Sequence, residues 1–464
     1  MKRTCLAAML LVIAFACRFG GPPADSAAST MVLQGGTLIN PGADPVPNAL
    51  IVIQEGRITC AGTGAACTYP AGAKSVDIPG TFVGPGLVDA HVHYSQTGWV
   101  DGRPDAVDLR HVYPYDSVIR ELEAHPEHFH RAALCSGVTS VFDVGGFRWT
   151  MDLAKKTRSA PDAPLVVAAG PLLSTIPLPP HMMGVLVVMK DDSTVRAAVR
   201  DHRRRGAGAI KVWYIEVPDS MRQHAKAMLA VAADETRKAG LRLLVHATEP
   251  DRAREAVEAG ATVLVHEVFN GPIDPALLAA TKKSGVIVIP TLSVLDGYAD
   301  VSLGRSPARR YPLECVDSAT RRKLTTVLPD SLLKAGRAFW EGPKGKALRS
   351  NVRNNFKLMH QAGIPLAMGT DAGNPGTAHG PSIYNEMEEM QRAGMSAAEV
   401  FASATIIAAR AMALDTVIGS VEPGKRADLV VFDADPTANI TNARQVRLVI
   451  HHGIVRTRGE LLPP

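Results

Sequence analysis

Eight short apolar runs alternate with helical stretches through the middle of the chain, and β-rich segments bracket them at both ends. These observations predict an α/β fold. It is a TIM (β/α)8 barrel over residues 83–417, with a small β-sandwich domain built from both chain ends, residues 31–82 and 418–460. A further observation selects the barrel over a doubly wound sheet. No GxGxxG fingerprint opens a helix after the first run, and nearly continuous apolar strands imply burial on both faces.

The chain opens with a targeting segment. Lys2 and Arg3 precede the apolar stretch Cys5–Ala16, which is too short to hold a helix across a bilayer. Ala14-Phe15-Ala16 is an A-x-A cleavage site directly before Cys17, so residues 1–16 are expected to be a signal peptide. Signal peptidase and lipoprotein peptidase would cut the same bond. The small, flexible residues 17–30 favour a tether, with a lipid on Cys17 attaching the protein to a membrane. The expected location is outside the cytosol: periplasmic, anchored as a lipoprotein, or secreted. Beyond Cys17, Cys60, Cys67, Cys135 and Cys315 remain. Cys60 and Cys67 flank a turn-rich stretch that suits a hairpin disulfide, with two small buried thiols as the alternative.

Met31-Val32-Leu33, Ala49–Ile53 and Gly56–Thr59 supply β-like runs at one end, and Ala427–Phe432 and Val446–Ile450 at the other. The eight barrel runs are Phe82–Ala90, Val138–Val144, Leu165–Ala169, Ala209–Trp213, Leu241–His246, Ala261–His266, Val286–Pro290 and Pro365–Gly369. Ser220–Ala239 and Asp251–Ala259 are among the helical patterns between them. Residues 293–350 form a long, charged insertion with Pro307, Pro312 and Pro329, expected to be a lid on the catalytic face.

With 46% hydrophobic residues the chain has ample apolar surface to fold, so disorder is excluded as its main state. Lys and Arg outnumber Asp and Glu by only 50 to 45, too small a surplus over 464 residues to indicate nucleic acid. The one tight basic run, Arg203-Arg204-Arg205, suits a solvated helix end before Gly206. The expected partner is a small-molecule substrate; a homo-oligomer is compatible with the sequence.

The chemistry gathers at strand ends. His91-Val92-His93 closes the first run, and strand alternation puts both imidazoles on one face, within reach of one metal. With 15 histidines, chance alone yields about half of one such pair, so position matters more than the pattern. His128-Phe129-His130 shows this: it lies in a helical stretch, where residues two apart diverge. Lys211 sits inside the fourth run, where a cation is costly unless neutralised or paired. His246 ends the fifth run, His266 the sixth, and Asp371 follows the eighth. Each alone reads as packing or rim chemistry. Together they put metal-binding groups at the C-terminal ends of five strands, where this fold builds its sites.

This set, with the segments Pro85–His93 and Gly424–Val431, closely resembles the amidohydrolase superfamily. Gly369-Thr370-Asp371, His379-Gly380 and the helix around Met390–Glu399 resemble its imidazolonepropionase-related branch. Imidazolonepropionase holds one metal and lacks the lysine, so Lys211 points to the binuclear members of the branch, which include Xaa-Pro dipeptidases and an ochratoxin-cleaving amidase.

The resemblance implies two divalent metal ions, with zinc favoured. His91, His93 and Asp371 would bind the first, His246 and His266 the second. Lys211, carboxylated by CO2 to a carbamate, would bridge them. It also implies hydrolysis of an amide C–N bond, of a dipeptide or an N-acyl amino acid, by a hydroxide generated at the metals, with Asp371 as the catalytic proton acceptor. Tyr94, Tyr214 and His379, just beyond ligand strands, are the candidates for holding the substrate. A lactone, cyclic amide or phosphoester hydrolase on the same site is the alternative, and a non-catalytic binding lipoprotein a remote one.

Overall fold

The computed structural model describes residues 30–177, 179 and 184–464. The expected signal peptide, Cys17 and the tether up to Ser29 lie outside the described residues. No helix among the described residues is long and apolar enough to cross a membrane.

The N-terminal strands are β1 (Thr30–Leu38), β2 (Val46–Gln54), β3 (Arg57–Thr63), β4 (Lys74–Asp77) and β5 (Phe82–Pro85). They belong to an eight-stranded sheet in which β5 pairs with a C-terminal strand, Leu429–Phe432. Alternation along β1 sends Met31 and Leu33 to a core shared with Ile51, Val83, Leu429 and Ile450. Val32 faces the other way, against Leu50, Val52 and Cys67. The hairpin disulfide Cys60–Cys67 closes beside that second face, with a Cα–Cα distance of 5.7 Å. The small domain thus carries strands from both chain ends, joined in one continuous hydrogen-bonded sheet.

The run expected as the first barrel strand, Phe82–Ala90, divides at Gly86. Its first half is β5, and its second half opens a parallel sheet of β6 (Leu87–Val92), β7 (Val138–Asp143) and β8 (Leu165–Ala168). Gly86 marks a close approach, because a Cβ there would lie 2.0 Å from Thr139 Oγ1. A second parallel sheet holds β9 (Leu172–Ser174), β10 (Leu186–Val188), β11 (Ala209–Trp213), β12 (Arg242–His246), β13 (Val263–Val265) and β14 (Ile287–Ile289), in the order β10-β9-β11-β12-β13-β14. Backbone hydrogen bonds join the two sheets on both sides. Gly208 N donates to Ala168 O at 2.9 Å, linking the approach to β11 with β8. Across the other gap the eighth run lies between β14 and β6: Ala367 N donates to Val288 O at 2.9 Å, and Ala90 N to Met368 O at 3.1 Å. That run forms single bridges rather than a strand. Gly369 lets it lie against β6, since a Cβ there would be 2.9 Å from His91 N. The C-terminal strands β15 (Leu429–Phe432), β16 (Val446–His451) and β17 (Ile454–Thr457) complete the first sheet.

Helices follow most of the parallel strands. The basic run ends the helix Asp192–Arg205, where Gly206 takes the left-handed cap at φ 85° and the arginines complement the helix dipole. The decoy pair sits on the helix Glu127–Cys135, with His128 exposed and His130 buried. The insertion is largely helical: Val294–Ser302, Ser318–Thr325, Asp330–Glu341 and the start of Pro343–Gln361. A disulfide between Cys135 and Cys315 ties it to the Glu127–Cys135 helix.

Candidate metal centre

The strand ends converge as the sequence implies. His91 and His93 point from β6 to the same place, with their Nε2 atoms 3.3 Å apart. Asp371 Oδ1 lies 3.2 Å from His91 Nε2 and 3.1 Å from His93 Nε2. His266 Nε2 lies 3.9 Å from the other Asp371 oxygen. The His246 ring stands 4.7 Å from that of His266, centre to centre. Lys211, buried in β11, faces the same cavity as His93, His246, His266 and Asp371. Among the described residues no carboxylate lies within ion-pair distance of its amine.

A hydrogen bond orients the His93 ring. His93 Nδ1 sits 2.6 Å from the Gly145 carbonyl oxygen, which can only accept, so Nδ1 donates and Nε2 is the nitrogen turned to Asp371. Imidazole nitrogens and a carboxylate gathered this closely are a donor set that fits a divalent ion. Ligand atoms of His91, His266 and Asp371 also lie within 4.8 Å of one another.

Burial lowers the pKa of His91 to about 4 and of His246 to about 3, which keeps both imidazoles neutral and free to bind a metal. Burial also lowers the Lys211 amine to about 7. Burial alone would raise the Asp371 carboxyl, but His91 and His93 hold it well below the usual range.

The backbone is strained at the same places. His266 and Asp371 adopt left-handed φ values of 66° and 59°. Asp89 helps hold the arrangement: it accepts from Thr370 N at 3.0 Å and Thr370 Oγ1 at 2.6 Å, bracing the approach to Asp371 against β6.

A model of the amidohydrolase family matches residues 82–455. The chain belongs to that family. It is an enzyme that hydrolyses C–N bonds in a metal-dependent reaction. An imidazolonepropionase of Caulobacter vibrioides is 25% identical over 417 residues, covering 86% of this chain and 91% of the relative. Two solved structures share the fold. An Xaa-Pro dipeptidase with methionine bound in its active site has a TM-score of 0.69 at 21% identity, covering 92% of this chain and 100% of its own. The A. niger ochratoxinase also has a TM-score of 0.69 at 21% identity, with coverage of 92% and 95%.

The three substrate-binding candidates of this amidohydrolase do not line the cavity. Alternation explains two of them. His93 faces the cavity, so the next residue, Tyr94, turns away and packs against Phe129 and His130. Lys211 and Trp213 face the cavity, so Tyr214 turns outward to a short hydrogen bond with Glu255 at 2.5 Å. His379 stacks on Phe129 with ring centres 3.9 Å apart, its Nε2 against the Gln96 carbonyl at 3.3 Å.

The cavity, about 250 Å³, has different walls. Leu172, Val185, Trp213, Phe269 and Leu295 form an apolar side, and Arg103, Tyr298 and Asn374 a polar one. Trp213 could have been found from its spacing to Lys211. Arg103 and Tyr298 carry no local signal. Leu295 and Tyr298 come from the helix Val294–Ser302, so the insertion does border the site.

Proposed function

We propose that this amidohydrolase cleaves an amide bond of a dipeptide or N-acyl amino acid at a centre of two divalent ions, with zinc favoured. The observation that carries this reading is the convergence of His93, His246, His266, Asp371 and a buried, unpaired Lys211 on one cavity, with His91 Nε2 3.3 Å from His93 Nε2. His91, His93 and Asp371 would hold one ion and His246 and His266 the other. Lys211, once its amine has added CO2 and released a proton, would bridge them as a carbamate. Two divalent ions held there would lower the pKa of a water and polarise the scissile carbonyl. Asp371 accepts the proton of the attacking water and delivers it to the leaving nitrogen. The apolar wall of Leu172, Val185, Trp213, Phe269 and Leu295 suits a substrate with a large apolar group beside the bond. The fold shared with an Xaa-Pro dipeptidase and an ochratoxinase supports this substrate class. Closure of the two parallel sheets into one eight-stranded barrel, through the bonds at Gly208 and at the eighth run, belongs to the same reading.

The test is a library of Xaa-Pro dipeptides and N-acetyl amino acids, assayed beside lactone, cyclic amide and phosphoester panels. Cleavage of amides with apolar side chains is the expected result. Turnover confined to the other panels would transfer the reading to those bonds.

The leader residues and the two disulfides support a further proposal: export, cleavage before Cys17 and a lipid on that residue. Mass spectrometry of the mature N-terminus tests it. A chain still beginning at Met1 would refute export, and an unmodified Cys17 would refute the lipid.

A further inference from the structure

The loop after Asp371 is clamped from two sides. Gly98 N donates to Gly373 O, and Gly376 N to Gly98 O, each at 2.8 Å, so the loop rides on the segment after β6. Opposite, Gly297 of the helix Val294–Ser302 comes so close that a Cβ there would lie 2.7 Å from Pro375 O. Buried Asn374 reaches all three parts. Its Nδ2 donates to Asp371 Oδ1 at 2.6 Å. Its Oδ1 accepts from Tyr298 OH at 2.6 Å and from Arg103 Nη1. Arg103 is itself fixed by Asp105, through Nε at 2.9 Å and Nη2 at 2.8 Å. A guanidinium only donates, so the amide oxygen must face Arg103 and the amide N–H must face Asp371. The amide can sit only one way round.

We propose that Asn374 is a positioning residue for Asp371. It restrains the carboxylate oxygen, while Arg103 and Tyr298 fix the amide, so the helix bordering the cavity and the loop after β6 both govern the orientation of the proton acceptor. This rests on the reading of Asp371 as the base. An oxygen that must take a proton from water and return it to nitrogen has to hold its direction. Misplacement by about 1 Å costs up to about 100-fold in rate.

Asn374→Asp separates the two halves of the contact. A carboxylate there still accepts from Arg103 and Tyr298, but it cannot donate to Asp371. The probes are the amides cleaved in the library above. We expect Asn374→Ala and Asn374→Asp each to lower kcat about 10- to 100-fold with KM within about threefold. Melting temperature and metal content should be unchanged, and crystals of both variants should show the Asp371 carboxylate displaced. Tyr298→Phe should cost less alone and little more on the Asn374→Ala background, as expected for residues acting as a unit.

Asn374→Asp with kcat within about twofold of wild type would overturn the proposal, as would an unmoved Asp371 in both crystals, because the amide would then only tie loops together. Undiminished turnover in Asp371→Asn would instead remove the base itself, so the two failures are distinct.

Discussion

In the small sheet, the buried carboxylate of Asp428 lies 2.9 Å from His451 Nδ1 and 2.9 Å from Arg426 Nε, and His451 Nε2 donates to Ala163 O at 2.7 Å. At the ends of the parallel strands, Asp371 meets two imidazole nitrogens at 3.1 and 3.2 Å. By residue type the two clusters look alike. They differ in what their neighbours carry. Around Asp428 a permanent cation offsets the carboxylate, and none of the cluster lines the cavity beside Asp371. Around Asp371 no arginine or lysine pairs with the carboxylate among the described residues, the backbone is strained, and a cavity opens beside it. A buried histidine–aspartate pair therefore marks a reactive site only where its charge is left unbalanced beside space for a ligand.

The comparison breaks most sharply under substitution. Asp371→Asn keeps shape and one ligand oxygen but loses basicity. Turnover should fall about 10²- to 10⁴-fold in steady-state kinetics, with the circular dichroism spectrum unchanged. Lys211→Ala should lose metal and activity together, and small carboxylic acids should restore part of the activity by standing in for the carbamate. Failure of both metal loss and rescue would make Lys211 a packing residue.

Asp428→Ala tests the other region. Removing one partner of a buried pair costs about 3–5 kcal/mol, read as a shift in the urea midpoint, while kcat per folded molecule should be unaffected. A variant that loses turnover without losing stability would contradict the distinction drawn here.

The smallest effect concerns His130, which lies in neither cluster. Burial lowers its pKa from 6.5 to about 4. As pH falls through that window the unfolded chain binds the proton first, so the contribution to stability is present above about 6.5 and is lost toward 4. His130→Phe should flatten the pH dependence of the urea midpoint there, by at most about 1.4 kcal/mol per pH unit. An unchanged slope would mean that His130 titrates alike in both states.

The candidate metal-binding cluster is legible in the sequence because each member sits in or just after an apolar run, where strand geometry leaves few directions to point. The cavity wall is much less so. Tyr94 and Tyr214 are adjacent to cavity-facing residues in sequence, yet the two-residue period sends them to the opposite side. Arg103 and Tyr298 arrive on a loop and on an inserted helix whose paths no local pattern determines. Cys135 and Cys315, 180 residues apart, pair only once the insertion has folded back. The division at Gly86 is hidden because one uninterrupted extended run serves two sheets.

The central claim is that Asp371 and the histidines around it, together with Lys211, hold two ions. Elemental analysis of protein made with zinc and bicarbonate, paired with a high-resolution map of Lys211, tests it directly. The account predicts about two ions per chain, as the ligand count implies, and a carbamate on the lysine. About one ion, beside an unmodified Lys211, would contradict it.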